Sequence, residues 1–151
     1  MTVDARAAAL SRALGPDDLE PVTAAMCGRG RAFSGAEYVT AVQAMHRVGR
    51  AMGELFDTID VLITPMLGRP PVPLGTLDTR DPPRFGREIG SVTPFAGLAN
   101  LTGQPAMTLP LDGADGLPIG TQVLGRFGDE ATLFRLAGQL ERAHGWWRPA
   151  P

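Results

Sequence analysis

The chain has 151 residues, 44% of them apolar and 20% charged, with a net charge of −2 and an isoelectric point near 5.6. These values set the expectation of a single domain, or part of one, over residues 1–151 of a cytoplasmic protein: no apolar run approaches the ~20 residues that span a bilayer, and Asp4 interrupts any leader-like start. Arginines spread from Arg6 to Arg148 give no basic footprint for nucleic acid, and one cysteine, Cys27, with two distant histidines, His46 and His144, offers neither an intrachain disulfide nor metal-ligand spacing. No cofactor, metal, membrane or nucleic-acid partner is expected.

Residues 4–14 read as a short helix, with Asp4 as its N-cap, Ala7, Leu10 and Leu14 at helical spacing, and Gly15-Pro16 ending it. A polar turn follows, then a second short helix over residues 22–28, closed by Gly28 and Gly30. Ser34-Gly35-Ala36-Glu37 has the spacing of a capping box and opens a long helix, in which Tyr38, Val42, Met45, Met52 and Leu55 share one face. Residues 59–64 form a mostly β-branched run stopped by Pro65, which predicts a strand buried on both faces. Residues 66–92 hold prolines 70, 71, 73, 82 and 83 and read as an irregular excursion.

Beyond Thr93-Pro94, residues 95–101 suit a short helix terminated by Gly103. Strands are expected over residues 106–109 and 119–124, joined by a loop over residues 111–118 that contains Asp112-Gly113 and Asp115-Gly116. Asp129 then caps a final helix with Leu133, Leu136, Ala137 and Leu140 on one face, His144 in its last turn and Gly145 just beyond. Residues 146–151 read as an irregular tail. A long helix feeding a strand, with further strands and a closing helix, points to an α/β fold.

The search for chemistry is mostly negative. The three serines, Ser11, Ser34 and Ser91, lie outside any G-x-S-x-G elbow or glycine-serine-rich loop that could form an oxyanion hole. Ser34 is better used as a cap, His144 as a favourable charge at a helix C-terminus and His46 as a partly buried structural residue. Cys27 has no base supplied for it by the sequence and reads as a small buried hydrophobe. All 14 residues counted as Lys plus Arg are arginine, so the chain has no lysine.

The string Ser91-Val-Thr-Pro-Phe-Ala-Gly-Leu-Ala-Asn-Leu-Thr-Gly-Gln-Pro-Ala-Met-Thr-Leu-Pro-Leu111 is followed by Gly116-Leu-Pro-Ile-Gly-Thr-Gln-Val-Leu-Gly-Arg126 and Gly128-Asp-Glu-Ala-Thr-Leu133. Together they closely resemble the C-terminal part of amidase-signature enzymes. Asp60-Val-Leu-Ile-Thr-Pro65 and Asp18-Leu-Glu-Pro21 also resemble that family, nearest its 6-aminohexanoate-cyclic-dimer hydrolase branch. The resemblance implies the C-terminal portion of the amidase-signature fold, a mixed sheet flanked by helices. It also implies hydrolysis of carboxylic amides by a Ser-cis-Ser-Lys triad whose members all lie upstream of the matched region. With no lysine the family's base is missing, and arginine holds its proton too tightly to replace it.

On this resemblance the chain supplies sheet structure and part of a substrate pocket but no catalytic residue. Thr93, Phe95, Asn100 and Gln104 are the substrate-contact candidates, although Asn100 and Gln104 serve equally as ties for the turn after the helix. Ala96 departs from a threonine frequent in the family, which weakens the inference of polar substrate contacts, and Thr108 departs from a common serine. The expected partner is an N-terminal amidase half or a second copy of the chain, with a small amide as substrate only in a complete enzyme. Two other readings stay open at this point: a non-catalytic interaction or oligomerisation module derived from an amidase, and an enzyme with a new site at Ser91 or Cys27.

Overall fold

The computed structural model describes residues 18–148, and the helix expected over residues 4–14 lies outside them. The chain divides into two compact units, one drawn from Met1–Val39 and Pro73–Ile89, the other from Thr40–Val72 and Gly90–Pro151.

In the first unit, helix α1 (Pro21–Arg31) begins with proline in its first turn, where a missing N–H costs no hydrogen bond. The Val22 N–H donates to the Thr79 carbonyl at 3.0 Å, fastening the start of the helix to the later segment of the same unit. The helix does not close at Gly28 or Gly30 as expected. A glycine stops a helix by taking a left-handed conformation, and neither has a positive φ, so both are carried inside it.

The capping box forms as its spacing requires. The Glu37 N–H donates to Ser34 Oγ at 3.2 Å while Ser34 N–H donates to Glu37 Oε2 at 2.8 Å, and helix α2 (Gly35–Leu55) runs from there. Residues 66–92 are not irregular throughout: helix α3 (Pro82–Val92) occupies their end. Asp81 is the reason, since its Oδ1 accepts from Arg84 N–H at 3.1 Å and its carbonyl from Phe85 N–H at 2.8 Å. Pro82 and Pro83 fall in the first turn, where they are compatible with a helix.

The second unit is built on a three-stranded sheet of β1 (Val61–Pro65), β2 (Ala106–Ala114) and β3 (Leu117–Gly125) in the order β1-β3-β2. Both pairings are antiparallel, with Leu62 opposite Leu124 and Leu124 opposite Ala106. The connection between β2 and β3 is far shorter than the expected loop. Only Asp115 and Gly116 turn the chain, with φ of 52° and 75°, which is the two-residue turn whose twist matches antiparallel strands. The strands reach it because a register shift between Pro110 and Asp112 absorbs one residue, so Asp112-Gly113 lies inside the ladder.

Helices flank this sheet, as an α/β chain of this kind requires. On one face the C-terminal half of α2 brings Met52, followed by Phe56, against Leu124, with Leu98 and Ala99 of helix α4 (Gly97–Thr102) beside them. On the other, helix α5 (Glu130–Ala143) seats Leu133, Leu136, Ala137 and Leu140 over Leu109 and Val123. Asp129 caps α5 through its Oδ1, which accepts from Thr132 N–H at 3.3 Å. Gly103 ends α4 with φ 74° and donates its N–H to Ala99 O at 2.8 Å.

Strand β1 departs from expectation. It is an edge strand, not one buried on both faces, and Ile63 is 60% exposed. The α5 helix packs on β2 and β3, so the outer strand is left uncovered on that face. The long-helix face is likewise only partly used: Met52 is buried, whereas Tyr38 is 68% exposed and Leu55 is exposed.

Residues 146–148 after α5 lack regular structure, yet Trp146 and Trp147 are anchored. Trp146 packs into the α5-side core and donates from Nε1 to Glu141 Oε1 at 2.7 Å; Trp147 N–H donates to Pro110 O at 2.8 Å. Among the described residues no helix is long and apolar enough to cross a membrane, and no group of three His, Cys, Asp or Glu side chains could hold a metal ion.

Candidate functional site

A concavity of about 650 Å³ in the second unit lies where three elements meet. Helix α2 contributes Met45, His46, Gly49, Arg50 and Gly53 from successive turns of one side, and Phe56 follows it. Asn100 to Gln104 close a second side, and Arg126 and Phe127, just after β3, close the third. Gly49 and Gly53 face open space, since a Cβ at either would meet nothing within 4 Å. The turn at Gly103 carries Gln104 inward, so that it is 8% exposed, and its Oε1 accepts from Thr102 Oγ1 at 2.9 Å. The same hydroxyl donates to Leu98 O at 2.9 Å. Arg126 Nη2 donates to the carbonyl of Phe56 and so ties the end of the sheet to the end of α2.

The four substrate-contact candidates therefore divide. Asn100 and Gln104 line the concavity, while Thr93 and Phe95 are not among its lining residues. Thr93 stands between Val92, whose carbonyl accepts from Gly68 N–H at 3.0 Å, and Pro94, whose ring abuts Gly68. A Cβ at Gly68 would fall 2.6 Å from Ser91 O and 2.7 Å from the Pro94 ring, so the two chain segments meet there only because residue 68 is glycine. Gly68 also lines a smaller hollow of about 220 Å³ with Pro70, Pro71 and Ile119. Gln104 is also tied to Thr102, as the turn-bracing alternative required.

The remaining chemical candidates fall apart in the same way. Ser34 spends its hydroxyl on Glu37 at 2.8 Å. His144 Nδ1 lies 3.3 Å from the carbonyl of Gly145 at the end of α5, and Cys27 is half-buried in α1. His46 is exposed on the concavity's rim and is not the partly buried structural histidine expected of it. A polar row crosses the sheet at Thr64, Gln122 and Thr108, and Gln122 is 3% exposed; Thr108 Oγ1 donates to Met66 Sδ at 3.2 Å.

His46, Arg50, Arg126 and Phe127 were not among the sequence candidates, because the concavity gathers them from segments about eighty positions apart in the chain. The one local signal was the i, i+4 pairing of His46 with Arg50, interleaved with Gly49 and Gly53 on the same side of α2.

The described residues thus form an antiparallel sheet with helices on both faces and a concavity at one end. The amidase family model matches residues 4–134, and the chain belongs to the amidase family. A putative amidase, AmiB2, of Mycobacterium tuberculosis (strain ATCC 25618 / H37Rv) is 35% identical over 137 residues, covering 90% of this chain and 30% of that protein. A fatty acid amide hydrolase of Medicago truncatula is 37% identical over 121 residues, 76% of this chain and 19% of that one. Among solved structures, a 6-aminohexanoate cyclic dimer hydrolase superposes with a TM-score of 0.75 at 27% identity, over 97% of this chain and 33% of its own. The chain thus spans about a third or less of the length of the relatives it matches.

Proposed function

We propose that the chain is the C-terminal part of an amidase-signature hydrolase of carboxylic amides, that it supplies sheet structure and one wall of the substrate pocket, and that it hydrolyses no amide alone. The single observation that carries this reading is the coverage: nine-tenths of the chain corresponds to 30% of AmiB2, which leaves most of a full-length amidase unaccounted for. The residues agree with it. A chain without lysine lacks the base of the family's triad, and Ser34 is committed to a helix cap.

The two edges of the sheet support a docking role for β1. Trp147 covers part of the β2 edge through its bond to Pro110, whereas β1 ends the sheet on the other side with Ile63 exposed. An uncovered edge strand presents unpaired N–H and C=O groups that another strand can satisfy. We place the remainder of the amidase against β1. Helix α4 has six residues and is therefore about 9 Å long. That length separates Thr93 and Phe95 from Asn100 and Gln104, and we keep Thr93 and Phe95 as the amide-substrate contacts. The test is fusion of the chain to the preceding part of AmiB2: hydrolysis of a small amide by the fusion, and by neither part alone, is the expected result.

A further inference from the structure

The concavity at the end of the sheet has a charge out of keeping with the rest of the chain. Acidic residues outnumber arginines 16 to 14 overall, yet Arg50, Arg126 and His46 line it and no Asp or Glu does. An adjoining hollow of about 210 Å³ shares His46 and Arg50 and adds Gln43 and Arg47, again without an acid. We propose that this concavity is a binding site for a small organic carboxylate with an apolar body.

The cations are available. Among the described residues neither the Arg47 nor the Arg50 side chain has a hydrogen bond or an ion pair, and Glu54, one turn beyond Arg50, makes none with it. Arg47 and Arg50 stand three apart on α2, a spacing at which like charges repel. An anion between them removes that repulsion, and a guanidinium fork matches the two oxygens of a carboxylate. Arg126 is held over the site by its bond to Phe56 O.

Neutral donors and apolar walls complete the arrangement. Gln104 is more than nine-tenths buried, its Oε1 is used by Thr102, and its Nε2 has no partner among the described residues. Met45, Phe56, Leu101 and Phe127 supply apolar surface, and Phe127 is 73% exposed as an unpaired lip. The volume lies in the range of about 300–1,000 Å³ usual for small-molecule sites.

The experiment is a titration of the full chain with hexanoate, followed by NMR through the His46 ring and the Asn100 and Gln104 side-chain amides. Hexanamide and inorganic phosphate are the control probes. The proposal expects saturable shifts with hexanoate, weaker binding of both controls, and a loss of about threefold to fivefold in hexanoate affinity in Arg50→Gln, the effect of removing one exposed charge partner. Arg50 is exposed, so the fold survives the change, and Arg47→Gln gives a second variant with a smaller loss. Equal binding of hexanamide overturns the carboxylate assignment, and equal binding of phosphate overturns the apolar one. Unchanged affinity in both variants, or shifts confined to other parts of the chain, overturns the site.

Discussion

Trp147 lies against Gly113 so closely that no side chain fits between them: a Cβ at residue 113 would overlap the indole, while the Trp147 N–H bonds Pro110 O at 2.8 Å. The segment after α5 is thereby fixed to β2 in spite of having no regular structure. Gly113→Ala is expected to expel the indole and lower stability by about 1–3 kcal/mol, the usual cost of overpacking. Tryptophan fluorescence shifted to the red at the onset of a weakened denaturant transition is the signature; an unshifted spectrum with unchanged stability would mean the contact is dispensable.

The start of α2 should titrate. Hydrogen bonds from the Ser34 N–H, then from its hydroxyl, hold the Glu37 carboxyl below its ordinary value of 4.5. A depressed folded-state value means that the contribution is complete above the unfolded value and is lost as pH falls through the folded one. In Ser34→Ala the Glu37 midpoint, followed by side-chain NMR, should rise toward 4.5. A midpoint that stays where it was would remove the Ser34 hydroxyl as a cause and leave its N–H.

The core beneath the concavity is small and therefore sensitive. Leu124 is fully buried and packs with Phe56 and Met52. Leu124→Ala should cost about 2–5 kcal/mol and Phe56→Ala about 3–5 kcal/mol in chemical denaturation, because both leave a cavity between sheet and helix. A loss below about 1 kcal/mol in either would show that this side of the sheet does not hold the unit together.

The exposed β1 edge should promote self-association in the absence of a partner strand. Ile63→Lys places a charge on a residue that is already 60% exposed, so it should lower the apparent mass in light scattering without altering the fold. A wild-type chain that is monomeric at high concentration would contradict the expectation directly.

Much of the fold was legible where the signal is local. The Ser34 box, the Asp129 cap and Gly103 each act through hydrogen bonds or φ values within a few residues, and each forms as read, whereas the expected loop over residues 111–118 shrinks to the Asp115-Gly116 turn. Pro82 and Pro83 misled because proline is a breaker everywhere except in a first turn, and the Asp81 cap in front of them decides the matter. The burial of β1 could not be read, since edge or centre depends on which strands pair across sixty residues of sequence. The concavity was half legible: Asn100 and Gln104 were singled out, but His46, Arg50 and Arg126 reach it only through tertiary packing.

The most direct measurement is amide hydrolysis by the chain alone, by the preceding portion of AmiB2 alone, and by the two fused or mixed. The account predicts no turnover from either part and turnover from the combination. Turnover by the isolated chain, or a folded fusion that leaves the amide intact, would contradict it.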